Sequence, residues 1–298
     1  MAGRLLIIGG SGFVSGTLAQ SAVAAGWEVT AVTRGVRPLP QGVSAIRVDR
    51  NDEAVFAEAI LAREAEWDLV VDAICYSPVH ARQDVRLFSG KTRNFVFIST
   101  DFVYDPAQRR VPQLVRGAAY AAEGYGGLKR QAEVIFESAD ADALPWTIFR
   151  PNHIYGPGSL PGCLPLHSRD PDLLNSIRQG RPLRLVGGGK FLQQPLFAQD
   201  LAATVLAVGG SSAARRRICN LTGPETVPSV RYYEILGEIL ECEIEVVPVD
   251  AAQFIRENPD KAPFCCDRVY DLAELKATGL PLPATPLATG LRVQVASE

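Results

Sequence analysis

The sequence predicts an α/β fold, a doubly wound parallel sheet joined to a smaller C-terminal lobe. Three observations carry that expectation. Apolar runs suited to strands buried on both faces alternate with helical patterns through the first half of the chain. The first run, Leu5-Leu6-Ile7-Ile8, passes directly into Gly9-Gly10-Ser11-Gly12 and then into a helical pattern carrying Leu18, Val23 and Ala24. After Arg150 the composition shifts, with Pro and Gly crowding residues 151–165.

In chain order, strands are expected over 5–8, 27–33, 43–48, 68–74, 94–99 and 146–150. Helices are expected after the glycine turn and over 53–65, 79–88 and 120–138. This βαβα succession argues for a parallel sheet covered on both faces. In the second half, helices are expected over 171–179, with Asp170 as cap, and over 199–208 and 230–240. Short strands are expected over 183–186 and 217–221, a flexible turn at 187–189, and an alternating edge strand over 243–247. The Pro-rich stretch 281–286 suits the surface, and no internal repeat is evident. Residues 1–160 would form the dinucleotide-binding domain, with 190–222 returning to it. Residues 161–189 and 223–298 would form the substrate-binding lobe.

The chain has 298 residues, 47% hydrophobic and 21% charged, with a net charge of −3. That balance suits a globular domain and disfavours nucleic acid or an anionic membrane as partner. The run Arg215-Arg216-Arg217 is too short to change this and suits a solvated loop. No apolar run is long enough to span a bilayer. The first apolar run enters the glycine turn at once, unlike a secretory signal, so a cytoplasmic location is expected. The six cysteines, at 75, 163, 219, 242, 265 and 266, lack zinc spacing and suit reduced thiols. Cys163 and His167 lie four apart without a second ligand pair, so no metal is expected.

The glycine turn is the chain's strongest functional signal. It follows a strand, opens a helix and precedes a second strand, the Rossmann-type context a dinucleotide requires. Glycines let the backbone turn sharply and a phosphate approach, while the helix dipole favours the anion. The second strand ends Thr33-Arg34-Gly35, and no carboxylate appears before Asp49. A carboxylate would bind the ribose hydroxyls of NAD; Arg34 suits the extra phosphate of NADP. NADP is therefore expected, with NAD as the alternative and a solvated Arg34 as the plain reading.

A second constellation starts at a strand end, Ile98-Ser99-Thr100-Asp101-Phe102-Val103-Tyr104. Tyr125 and Lys129 follow, four apart and so on one helix face. A Lys cation beside a phenol favours phenolate and brings the Tyr toward its working range. Tyr125 could then give or take a proton at a carbonyl or alcohol, with Thr100 bonding the same oxygen.

The glycine spacing and this trio resemble the extended short-chain dehydrogenases/reductases, the NAD-dependent epimerase/dehydratase family, whose turn is G-x-x-G-x-x-G. Here the third position is Ser15, with Gly16 after it. Arg150-Pro151-Asn152-His153-Ile154-Tyr155-Gly156-Pro157 is similar to the family's R-P-x-N-V-Y-G-P. Phe197 to Ala202 sits where relatives carry H-V-D-D-x-A. The segment from Ser99 to Asp105 looks like that of dTDP-dehydrorhamnose reductases and, in part, of dTDP-glucose dehydratases. Asp101 matches the acid of the dehydratase Asp–Glu pair, but Phe102 replaces its Glu.

The resemblance implies an oxidoreductase or epimerase acting on a sugar-like alcohol or ketone, and a homodimer. It implies coenzyme contacts at Gly9, Ser11, Gly12, Phe13, Val14, Asp49, Arg50, Ala73, Ser99, Tyr125, Lys129 and Pro151. It implies catalysis by Thr100, Tyr125, Lys129 and Asp101, although Asp101 also suits a turn cap. Asp101, His153, Arg169 and Gln193 fall in the substrate region. His153 replaces the family's Asn and also suits a hydrogen-bonded structural role. Gln193 stands where many relatives place the Arg that binds a nucleotide diphosphate, a charge Arg169 or Arg184 could supply. The reading from a different class is a non-catalytic, dinucleotide-sensing or RNA-associated relative.

Overall fold

A computed structural model of the chain describes residues 3–63, 66–140 and 142–298. The first half runs β1 (Arg4–Ile8), α1 (Phe13–Ala24), β2 (Glu28–Thr33), β3 (Ser44–Arg47), α2 (Glu53–Leu61), β4 (Leu69–Asp72), α3 (Pro78–Phe88), β5 (Phe95–Ile98), α4 (Gly124–Ser138) and β6 (Trp146–Pro151). Then follow β7 (Ile154–Tyr155), α5 (Leu173–Arg178), β8 (Leu183–Val186), β9 (Leu192–Gln193), β10 (Leu196–Phe197), α6 (Ala198–Ala207) and β11 (Arg217–Leu221). The chain closes with β12 (Val227–Pro228), α7 (Ser229–Leu240), β13 (Val246–Val249), α8 (Ala251–Glu257), α9 (Ala273–Lys276) and α10 (Leu287–Val295).

Among the described residues, seven strands form one sheet in the order β11-β6-β5-β4-β1-β2-β3, and every neighbouring pair is parallel. The alternation of side chains along each strand divides the core in two. Leu5, Ile7, Leu69, Val71, Val96 and Ile98 face α1 and α6 through Leu18, Ala22, Leu201 and Val205. Leu6, Ile8, Val70, Phe95 and Phe97 face α2, α3 and α4 through Phe56, Phe88, Ala132 and Phe136. Each such side chain contributes roughly 1.5–3 kcal/mol by leaving water. The strand order reverses between β1 and β4, and ligands of such sheets lie beyond the strand ends at that point.

A third apolar cluster lies in the C-terminal half. Leu173 and Ile177 of α5, Tyr232, Tyr233 and Leu236 of α7, and Leu287 and Leu291 of α10 pack together. The Pro-rich stretch runs along the surface, with Pro281, Leu282, Ala284 and Pro286 exposed.

Several boundaries differ from those expected. The helix expected over 53–65 ends at Leu61; Glu64 and Ala65 lie outside the described residues. The helix expected from 120 begins at Gly124, because Tyr120 pairs instead with Tyr104 in an antiparallel bridge. Gly124 then turns the chain with φ of +67°, a left-handed value glycine adopts freely. The helix at 171–179 shortens to Leu173–Arg178; Asp170 accepts instead from Asp172 N at 2.9 Å and from the His167 ring at 2.8 Å. The strand expected at 243–247 lies at Val246–Val249 and runs parallel to β8, because the chain leaves α7 through a left-handed Glu241.

Candidate active site

The glycine turn is built by close approach. Gly9 and Gly10 have φ of +122° and +107°, and a Cβ on Gly10 would lie 2.6 Å from Ala31 Cβ of β2. Gly12 is open: a Cβ there would meet only Ser15 Oγ, at 3.5 Å. The first-turn amides of α1 have no intrahelical acceptor, and no acidic side chain competes for them. Gly12 N donates to Ser15 Oγ at 3.3 Å, which gives Ser15 a capping role where a third glycine was expected. These features fit the pyrophosphate of a dinucleotide.

Two cavities, of about 540 and 480 Å³, meet at this turn. Gly12, Ser15, Ile74 and Tyr76 border both. The smaller one holds Gly9, Ser11, Arg34, Asp49 and Arg50, together with Arg37. The larger one holds Phe13, Val14, Ala73, Ser99, Thr100, Asp101, Tyr125, Lys129, Pro151, His153 and Arg169, together with Arg268. Gln193 borders neither: its side chain is buried and its backbone pairs with Val227. Arg184, on β8, borders neither as well.

At the smaller cavity Arg34 is exposed. Asp49 accepts from Asn51 N at 2.9 Å and Asn51 Nδ2 at 2.8 Å, bonds that hold its carboxyl below the usual range. Arg50, expected as a coenzyme contact, borders this cavity with its terminal nitrogens committed elsewhere. Its guanidinium is buried and donates to Asp72, to Asp84 at 3.0 Å, to Gln83 at 3.2 Å and to the His80 carbonyl at 3.2 Å. It fixes the end of β4, whose Asp72 accepts from Ile74 N at 2.7 Å.

The larger cavity carries the expected trio. Thr100 caps a short turn over Asp101–Val103 by accepting from Phe102 N at 3.3 Å. Helix α4 starts against that turn. A Cβ on Gly126 would lie 1.9 Å from the Phe102 carbonyl oxygen, and one on Gly127 2.7 Å from that of Ala122. Gly126 thus lets the start of α4, with Tyr125, pack against the turn that follows Thr100. Lys129, buried, donates from Nζ to the carbonyls of Ile98 at 2.7 Å and Cys75 at 2.9 Å. An ammonium has three donors, so one N–H remains.

The electrostatics differ from those expected. Burial pushes the Tyr125 phenol up to about 12, with Tyr76 and Asp101 adding to the rise. Burial also pushes Lys129 down to about 8. Lys129 is bonded to two carbonyls and is not among the groups that chiefly set the phenol's value.

Asp101, expected in catalysis or substrate contact, borders the larger cavity as an ionised counter-ion. Arg268 donates to its Oδ2 from Nε at 3.0 Å and Nη2 at 2.6 Å, and Tyr270 donates its hydroxyl to the same oxygen. Arg109 lies 3.6 Å away. Burial favours the protonated form, but Arg268 and Arg109 outweigh it and hold the carboxyl below the usual range. His153 packs edge-on to Tyr232 with ring centroids 5.9 Å apart. Burial, then the charges of Arg268 and Arg169, push it down to about 3, so it is neutral.

A buried polar chain links these parts. Ser99 donates to Glu133 at 2.6 Å, and Arg150 donates to Glu133 at 2.9 and 2.7 Å. Arg150 also donates to the Tyr104 hydroxyl at 3.0 Å, and Tyr104 donates to Asn220. Asn220 Nδ2 donates to the carbonyl of Asp271 at 3.0 Å, three residues past Arg268.

Sequence reasoning missed Arg37, Arg109, Arg268 and Tyr270, which stand in no local motif. It also missed Gln194, whose Oε1 accepts from Tyr270 N at 2.7 Å. Asp200, within the 197–202 segment, accepts from Ala284 N, Thr285 N and Thr285 Oγ1 at 3.0, 2.8 and 2.8 Å, tying down the Pro-rich stretch.

The sequence pattern of the NAD dependent epimerase/dehydratase family matches residues 5–222. The chain is 27% identical over 281 residues to a 2'-dehydrokanamycin reductase of Streptomyces kanamyceticus, covering 91% of this chain and 78% of that protein. It is 25% identical over 239 residues to the chloroplast stem-loop binding protein of 41 kDa b of Arabidopsis thaliana, covering 75% of this chain and 60% of the relative. The fold is similar to that of a UDP-glucuronic acid 4-epimerase from Bacillus cereus solved in complex with NAD. The TM-score is 0.74 at 17% identity, over 99% of this chain and 98% of that one. Among the described residues, no helix is long and apolar enough to cross a membrane.

Proposed function

The chain belongs to the NAD dependent epimerase/dehydratase family, and on that premise we propose that it moves a hydride to or from the carbinol or carbonyl carbon of a sugar-like substrate, with Tyr125 as the acid or base. As a family member it is an NAD(P)-dependent oxidoreductase or epimerase. One observation supports the residue roles. Thr100, Tyr125 and Lys129 border a single cavity, which shares Gly12 and Ser15 as walls with the one that holds Arg34.

Gly12 and the first-turn amides of α1 would hold the pyrophosphate. Arg34, beside Arg37, would hold the 2'-phosphate of NADP; NADP is the coenzyme this favours, with NAD the alternative. Bound so, the coenzyme supplies or accepts the hydride. In reduction Tyr125 gives its phenolic proton to the carbonyl oxygen; in oxidation it takes the proton from the hydroxyl. The Thr100 hydroxyl bonds that same oxygen. The free N–H of Lys129 holds a ribose hydroxyl, and its charge reaches the phenol only across the filled cavity. Residues 1–160 and 190–222 would hold the coenzyme, and 161–189 and 223–298 the substrate.

A sensor without turnover is the weaker reading, since it has no use for a phenol, a hydroxyl and a buried ammonium in one cavity. Tyr125→Phe tests the assignment. It keeps the ring and removes the proton, so turnover on a panel of ketoses and nucleotide sugars should fall roughly 10²–10⁴-fold while coenzyme still binds. Full wild-type turnover in Tyr125→Phe would remove Tyr125 from the chemistry.

A further inference from the structure

Four charged side chains border the larger cavity: Asp101, Lys129, Arg169 and Arg268. Lys129 is tied to two carbonyls. The other three, with His153, border only this cavity and not the one beyond the glycine turn. Arg268 commits Nε and Nη2 to one oxygen of Asp101. Its Nη1 is buried and has no partner among the described residues, and the same holds for His153 Nε2. Arg169 is exposed and makes no ion pair among the described residues.

A buried donor without a partner is uncommon and unfavourable, so Arg268 Nη1 beside this cavity points to an occupant that bonds to it; the neutral His153 ring, with one donor and one acceptor nitrogen, offers a second polar contact there. The charge says what kind. Asp101 neutralises Arg268, yet Arg109 lies 3.6 Å from the same carboxylate and Arg169 adds a further cation. The surplus is positive. The guanidinium is fixed by two hydrogen bonds and lies over the Phe102 ring, 4.9 Å from its centroid, so its last N–H group has a set orientation, and a cation so held at the cavity wall favours an oxygen anion.

We propose that Arg268, with His153 and Arg169, forms a subsite for an oxyanion, a carboxylate or phosphate carried by the molecule that reacts at Thr100 and Tyr125. Asp101 is a positioning residue here: it aims Arg268 and does not touch the substrate. The proposal rests on the reading of the cavity as a site for coenzyme and substrate together.

The test uses the full chain saturated with NADPH, or with NADH if that binds more tightly, so that the pyrophosphate site is filled. Coenzyme binding is measured first, by nicotinamide fluorescence. Glucuronate, glucose 6-phosphate and UDP are then titrated calorimetrically, with glucose as the neutral control. At least one oxyanion probe should bind more tightly than glucose. That binding should weaken roughly 10–100-fold in Arg268→Lys, which keeps a cation opposite Asp101 but lacks the second arm of the fork. Arg169→Gln should lose less. Glucuronate responding alone assigns a carboxylate, glucose 6-phosphate a sugar phosphate, and UDP alone the diphosphate of a nucleotide. The double variant Asp101→Asn with Arg268→Gln, which removes both buried charges, should lose the same binding and serves if Arg268→Lys does not fold. Oxyanion affinity equal to that of glucose, or unchanged in a folded variant at position 268, overturns the subsite. Absence of coenzyme binding in the wild type overturns instead the reading on which it rests.

Discussion

Arg268 reaches Asp101 across 167 residues of chain and holds one carboxylate oxygen with two N–H groups, at 3.0 and 2.6 Å. Both side chains are buried. Removing one partner of such a pair strands the other charge in the interior, a loss of about 3–5 kcal/mol. Asp101→Asn should destabilise the chain by that order in urea unfolding, and Asp101→Asn with Arg268→Met should recover much of it. Because Asp101 is held below its unfolded value, its contribution is present above that value and fades as pH falls through the folded one. An Asp101→Asn protein as stable as wild type would mean that the pair carries no such load.

Lys129 leads to a kinetic expectation. Its ammonium is pushed down to about 8, while the Tyr125 phenol stays protonated up to about 12. Carbonyl reduction needs the phenol protonated and the ammonium charged. Its rate should therefore decline with a midpoint near pH 8, well below the phenol. Lys129→Met should be slower by roughly 10²-fold or more and should lack that decline. Persistence of the limb in Lys129→Met would assign it to another group.

His153 makes stability depend on pH. Its folded value of about 3 lies below the ordinary 6.5, so the unfolded chain binds a proton that the folded chain refuses. Stability is then unaffected above the ordinary value and falls as pH drops from there toward the folded one. Measured against His153→Gln, wild type should lose about 1.4 kcal/mol per pH unit between about pH 6 and 4. The two other histidines, His80 and His167, cancel in that difference. Parallel stability curves would show that His153 takes up its proton equally in the folded and unfolded chain.

Arg34 bears on coenzyme choice. Losing a charge-assisted contact to the 2'-phosphate should weaken NADPH binding roughly 10-fold or more in Arg34→Ala and leave NADH unchanged. Equal dissociation constants for NADPH in wild type and variant would leave Arg34 a surface residue.

The parts legible in the sequence are those where neighbours along the chain are also neighbours in space. The apolar runs at 5–8 and 94–99 and the glycine turn declare their structure locally, and Tyr125 and Lys129 share a helix face at fixed spacing. What stayed hidden depends on distant partners. Nothing near Arg50 announces that Asp72 and Asp84 will bury it, and nothing near Asp101 announces Arg268. Gln193 was placed by its motif, but a two-residue strand turns it into the interior while the adjacent Gln194 supports Tyr270. The helical pattern from 120 does not show the start of α4, because Tyr120 forms a bridge to Tyr104, a contact made across the loop between them.

The chain of bonds from Ser99 through Glu133, Arg150, Tyr104 and Asn220 is buried and nears the surface at its end, the half-buried Asp271. Its buried links are screened little by salt, and the surface meets it chiefly through Arg130, which donates to Glu133 at 2.9 Å. Glu133 is its central link, held ionised by Arg150 against the effect of burial. Protonating that one carboxylate loosens both ends together. Acid then frees the helix of Tyr125 and the loop of Arg268 together at this link, beyond the gradual loss that His153 and Asp101 bring.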